Sequence, residues 1–131
     1  MRHSLRRVTT LALIVVAACT HNTKNDVDEE LMPRPDPIPV HVKNENFLDM
    51  NVFVVTSGVS RRLGTVTGNG SGDFKIDWSV ANGQTISITA TPIGGRGTAT
   101  SGSLNVGVGQ MIEFRIAAQL RQSVATVHDP N

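Results

Sequence analysis

Few side chains in this 131-residue sequence have a type and spacing that supports catalysis. The candidates for metal binding or acid–base work are His3, His21, His41 and His128, together with Cys19. Zinc sites gather three or four such ligands at short spacings, as in Cys-x2-4-Cys or His-x3-5-His. No histidine pair has that spacing, and Cys19 is the one thiol. His3 and His21 fall in N-terminal segments, His41 on the polar side of the first strand and His128 near the end, so no metal ligand is assigned. None of the many Ser and Thr residues lies in Gly-x-Ser-x-Gly, and Ser71 and Ser103 beside glycines read as turn residues. Asp73 and Asp77 share one face of a strand at about 13 Å by strand rise, wider than the roughly 5 to 9.5 Å of a glycosidase pair. The run Gly68-Asn69-Gly70-Ser71-Gly72 lacks the Lys-Ser/Thr of a phosphate loop and reads as a loop between strands. Arg61, Arg62 and Arg96 could bind an anion or a polar partner, but the preferred reading is of edge and loop charges that discourage sheet aggregation. The sequence therefore assigns no catalytic residue, no cofactor and no metal, and the expectation is a protein that is not an enzyme.

Cys19 has a different chemistry. Residues 1–18 have a basic start at Arg2, Arg6 and Arg7, an apolar run from Val8 to Val16 and small residues before the thiol. That is the layout of a secretory leader. The run is shorter than the roughly 20 residues a membrane-spanning helix needs. Arg6-Arg7 lacks a twin-arginine continuation, since Val8-Thr9-Thr10 follows. Val16-Ala17-Ala18-Cys19 resembles the lipobox of bacterial lipoproteins, which implies a thioether from Cys19 to diacylglycerol, cleavage before Cys19 and acylation of the new amino group. Two or three acyl chains, at roughly 0.8 kcal/mol per buried methylene, hold a protein on a membrane. Lipidation also accounts for a lone thiol in an exported chain, where an internal disulfide is impossible. Thr20, in place of Asp, is similar to the sorting signal that sends lipoproteins to the outer membrane of a two-membrane cell.

Removing Arg2, Arg6 and Arg7 with the leader leaves nine basic against eleven acidic residues, a net charge of −2. So small a charge gives no footprint for nucleic acid. Residues 20–30 carry Lys24, Asp26, Asp28, Glu29 and Glu30 with little to bury and are expected to stay disordered. Pro33, Pro35, Pro37 and Pro39 then favour extended polyproline geometry. The expected organisation is a leader (1–18), an acylated cysteine and tether (19–37) and one domain (38–131), with a tether reach of about 60 Å.

The domain has the period of strands. Val40 and Val42 alternate with His41 and Lys43; Met50, Val52 and Val54 alternate with Asn51, Phe53 and Val55, apolar on both faces as in an interior strand. A strand is expected over residues 61–67, between turns at Ser57-Gly58 and residues 68–72. Phe74, Ile76 and Trp78 alternate with Asp73, Lys75 and Asp77, which predicts Trp78 in the core of a strand. Asn82-Gly83 then reads as the turn into the strand holding Ile86, Ile88 and Ala90. Leu104, Val106 and Val108 predict another strand, Ile112, Phe114 and Ile116 the next, and residues 123–127 the last, with a helical turn allowed at 117–120. Seven to eight short strands in about 90 residues predict a single all-β, immunoglobulin-like or transthyretin-like antiparallel sandwich. In the segment 44–49, the Asn and Asp side chains are expected to bond nearby backbone amides, and Phe47 to plug the loop into the core.

The segments Asn44-Glu45-Asn46-Phe47-Leu48-Asp49-Met50-Asn51-Val52-Phe53-Val54, Arg62-Leu63-Gly64-Thr65-Val66 and Pro92-Ile93-Gly94 resemble a group of small bacterial lipoproteins of no established activity. The resemblance covers about residues 40–127 and departs at Thr91, where the group has Asp. It implies a lipoprotein and a β-sandwich and adds no catalytic residue.

The expected function is that of a membrane-anchored envelope protein that works through contacts with a protein partner. The alternatives are a polysaccharide- or solute-binding module, and a self-assembling surface subunit whose Ile38-to-Lys43 strand pairs with a neighbour's sheet edge. Cys19→Ser is expected to move the protein from the membrane to the soluble fraction of cells and to abolish incorporation of labelled palmitate. Unchanged membrane association would remove Cys19 as the anchor.

Overall fold

The computed structural model describes residues 33–130; Cys19, the leader and the tether through residue 32 lie outside them. Residues 33–37 are exposed and without regular structure. Eight strands follow: β1 Ile38–Asn44, β2 Met50–Thr56, β3 Val59–Val66, β4 Ser71–Ile76, β5 Ile86–Pro92, β6 Ala99–Thr100, β7 Met111–Ile116 and β8 Val124–His128. They form two four-stranded sheets, ordered β4-β1-β7-β8 and β3-β2-β5-β6. The result is the β-sandwich that the alternation predicts.

Its core follows from the period of two. Val40, Val42, Val52, Val54, Ile88, Ile112, Phe114 and Ile116 are all buried, and their polar neighbours face outward. β-branched side chains dominate because they suit a pleated, half-buried surface, and each one buried contributes roughly 1.5–3 kcal/mol. β2, apolar on both faces, is interior, between β3 and β5. The β2–β3 hairpin turns on Ser57 (φ 49°) and Gly58 (φ 78°), the paired positive φ angles of a turn whose twist matches the strands. On one side the two sheets are closed by β3 and β4, where the Phe74 ring lies against Gly64 and Gly72 with no room for a Cβ at Gly64.

Several expectations give way to stronger local chemistry. The segment 74–78 is not one strand: β4 stops at Ile76, and Asp77 accepts a hydrogen bond from the Ser79 N–H (2.8 Å), capping a one-turn helix α1, Trp78–Ala81. Trp78 is therefore a helical residue, partly buried against the core. Asn82, in the left-handed region at φ 34°, ends that helix, so Asn82-Gly83 belongs to a crossover between sheets and not to a hairpin. The loop after β3 likewise crosses from one sheet to the other. Of Leu104, Val106 and Val108, only Leu104 bridges to β5, at Ile86, while Val108 is 66 % exposed beside a turn at Gly107. The strand lies instead at β6, paired through Thr89–Thr100 and Ala90–Ala99. At 117–123 the helical turn is a 3-10 turn, Leu120–Gln122.

β1 pairs antiparallel with β4 on one side and parallel with β7 on the other, the one parallel pair among the described strands. The crossover from β6 delivers β7 to the same end at which β1 begins, so the two run together. Flanked on both sides, β1 has no free edge. The Ile38-to-Lys43 strand therefore cannot pair with a neighbour's sheet as the sequence allows.

Two outcomes check this packing. Phe114→Ala is expected to cost about 3–5 kcal/mol in denaturant unfolding, whereas Val108→Ala should stay within about 0.5 kcal/mol; a large loss at Val108 would return that segment to the core. The second outcome concerns Asp77, whose carboxyl is held below its usual pKa by the side-chain and backbone hydrogen bonds from Ser79. A depressed folded pKa stabilises fully above the unfolded value and is lost as pH falls through the folded one. Asp77→Ala should therefore weaken the protein at neutral pH and flatten its acid limb below about pH 4.

Candidate functional site

The strand registers gather four connections at one end of the sandwich. Lys43 faces Ser71, Asn44 faces Ile116, Met50 faces both Val66 and Pro92, and Arg115 faces Val124. Loops 45–49, 67–70, 93–98 and 117–123 therefore share that end. The chain enters β1 at the other, where Ile38 faces Ile76.

Loop 45–49 is the hub of the four. Asn44 and Asn46 are 1 % and 7 % exposed, the buried polar residues among those described. The Asn44 side chain donates to the carbonyls of Leu48 (2.8 Å) and Thr67 (3.0 Å) and accepts from the Asn46 N–H (3.0 Å). The Asn46 side chain accepts from the Leu48 N–H (3.0 Å) and donates to the Ala118 carbonyl (2.9 Å). Asp49 Oδ1 accepts from the Gly68 N–H at 2.8 Å, and the Asp49 carbonyl accepts from the Ile93 N–H at 2.8 Å. The Asn69 N–H closes onto the Asn46 carbonyl at 2.8 Å. One short loop thus bonds to all three others. Gly68 is required here because a Cβ would run into the Phe47 carbonyl.

The asparagine and aspartate roles match the expectation, but Phe47 does not. Its ring is 77 % exposed, because inward positions alternate through Asn44, Asn46 and Leu48 and so turn residue 47 outward. Ile93, 49 % exposed, and Val124, 46 % exposed, lie at the same end. Between loops 93–98 and 117–123 an open cleft of about 760 Å³ is lined by Arg96, Thr98, Gln119, Leu120, Arg121 and Gln122. Neither loop contains a carboxylate, and neither arginine makes an ion pair or side-chain hydrogen bond with a described residue. Such a cleft can hold an anion and donate hydrogen bonds. Its lining offers no general base.

Elsewhere, residues singled out in the sequence form cross-strand pairs. His41 Nδ1 meets Asp73 Oδ1 at 2.7 Å between β1 and β4, and among the described residues no hydroxyl is bonded to the other ring nitrogen. His128 lies 3.6 Å from Glu113, while Arg115 and Lys43 both pair with Glu45. Asp77 caps α1, so Asp73 and Asp77 are not a pair. Arg62 bonds to Asn51 and Thr65 on the β3 edge. Among the described residues no three His, Cys, Asp or Glu are grouped to hold a metal, and no helix is long and apolar enough to cross a membrane. Cys19 lies outside them.

Sequence reasoning missed the cleft and the outward turn of Phe47. The signal for Phe47 was present in the period of two that runs on from β1 through Leu48. The cleft joins residues 96 and 121, which nothing local connects.

No protein-family model matches the chain, and no curated protein matches it. Among solved structures it is similar to an NMR structure of a protein from Eubacterium rectale, at 17 % identity and TM-score 0.45, over 72 % of this chain and 91 % of that one. At that level no activity or residue role passes between the two.

Asn46→Ala would leave a buried amide and a carbonyl without partners and is expected to cost about 1–3 kcal/mol, some 5–20 °C in melting temperature for a domain of this size. Phe47→Ala should shift stability by less than about 0.5 kcal/mol. Equal losses in the two variants would put Phe47 back in the core.

Proposed function

We propose that this chain is a non-enzymatic lipoprotein of the bacterial cell envelope, anchored through Cys19, whose β-sandwich binds a protein partner through its loop-bearing end. The observation that carries this reading is an aromatic side chain 77 % exposed at the tip of a loop whose backbone is fixed by two buried asparagines. Aromatic side chains anchor protein interfaces when they are held rigid before contact, since less conformational entropy is lost on binding. Leaving Phe47 in water has no structural return within the domain.

The direction of the chain supports the same reading. It enters at Ile38, at the end opposite the four loops. A tether rooted there leaves the loop end free to face away from the lipid. With Thr20 after the cysteine, the membrane proposed is the outer one in a cell that has two. A second reading, a module for a polysaccharide or small solute, is favoured by the cleft with Arg96 and Arg121.

Chemical cross-linking of the lipidated protein in intact cells, with Cys19→Ser as the unanchored control, tests the reading. One discrete adduct with a different protein is expected, dependent on the anchor and depleted by Phe47→Ala. A ladder of self-adducts would replace the reading with self-assembly.

A further inference from the structure

The four edges of the sandwich are not alike. β3 carries Arg61 and Arg62 exposed on its edge, β4 carries Asp73 and Lys75, and the two are packed against each other. β6 is only two residues long. Charges, mutual cover and short length are the usual protections of a sheet edge. β8 has none of them. Its five residues, Val124-Ala125-Thr126-Val127-His128, contain no Lys, Arg, Asp, Glu or Pro, and among the described strands it bonds to β7 alone. Ala125 and Val127 pack against the core yet remain partly exposed, because the two-residue β6 is the edge strand of the opposite sheet on that side. A strand added beside β8 would satisfy its free backbone groups and cover that margin.

The second observation lies at the start of the same strand. The cleft residues Arg121 and Gln122 precede Val124 by three and two positions, and Arg96 reaches the cleft from the other sheet's loop. The two guanidinium groups have no carboxylate partner among the described residues. A guanidinium presents a planar fork of donors that matches a carboxylate. No aromatic side chain lines the cleft, so a sugar ring has no platform there. Whichever direction an added strand runs, one of its ends lies at the cleft.

We propose that the β8 edge, together with Arg96 and Arg121, is a docking site for an extended acidic peptide segment, which pairs as a fifth strand and places its carboxylates in the cleft. This deepens the interaction reading above and rests on it. Main-chain pairing supplies contact along β8, and the arginines select acidic over basic or neutral sequences. The cleft alone would accept any small anion; the adjoining edge is what makes the ligand a peptide.

The test uses the full chain in detergent and a fluorescein-labelled octapeptide of alternating Glu and Val, read by anisotropy. Saturable binding is expected, at least tenfold weakened by the double variant Arg96→Gln/Arg121→Gln, and absent for the Lys-Val counterpart. Two further peptides, N-methylated on the odd or on the even residues, separate strand pairing from charge, and one of the two must lose binding. Equal affinity for the double variant, or full binding of both methylated peptides, would overturn the proposal. Binding of polygalacturonate but not of the peptide would assign the cleft to a polyanionic sugar. A dimer whose β8 amides are protected from exchange would give the edge to a second copy. If the Glu-Val peptide fails while a discrete heterologous adduct still forms in cells, the acidic-strand chemistry is wrong and the interaction reading stands; if the adduct is missing too, both fall.

Discussion

The backbone amides and carbonyls at the loop end must find partners out of water, and the side chains of Asn44 and Asn46 supply them in three of the four loops. Each of these primary amides both donates and accepts, so each can serve a carbonyl and an N–H at once. Asn44 joins its own loop to Thr67, and Asn46 joins it to Ala118 in the loop between β7 and β8. Burial makes the arrangement all-or-none, because a buried polar group without a partner costs more than the bond itself contributes. The end of the sandwich that carries the loops is thereby made as definite as the core beneath it.

That rigidity explains how the molecule can leave a phenylalanine in water. Were loop 45–49 free to collapse, Phe47 would be driven inward by its own hydrophobicity. Asn44 and Asn46 occupy the inward positions instead, and the ring is held outside. At the same end lie the arginines of the cleft, which make no ion pair with a described residue, and the uncharged edge of β8 starts there. The other edges carry charge, cover or brevity. Exposed aromatic and cleft arginines thus fall at one end and the open strand edge runs from it, while the chain enters β1 at the other.

The fold was largely legible in the sequence because the period of two is repeated in nearly every strand. Val40/Val42, Ile86/Ile88/Ala90 and Ile112/Phe114/Ile116 each announce a strand and its buried face. The errors came where one local bond outweighed the pattern. Asp77 keeps the alternation of Phe74 and Ile76 in sequence, yet capping the Ser79 N–H turns Trp78 into a helix. Leu104, Val106 and Val108 also alternate, but only Leu104 bridges to β5, at Ile86, and the turn at Gly107 leaves Val106 and Val108 outside the sheets. Sheet order was not legible at all, since the parallel placement of β1 beside β7 depends on residues about 70 apart. The asparagine turns of loop 45–49 could be read locally; the cleft, made of residues 96 and 121, could not.

On the proposed function the loop end, and not the chain-entry end, meets a partner. A photo-cross-linking amino acid placed at position 47, and separately at the exposed position 59 in the β2–β3 hairpin at the other end, tests it in living cells. The expected result is a single heterologous adduct from position 47 and none from position 59. Adducts of equal yield from both positions, or from position 59 alone, would contradict it.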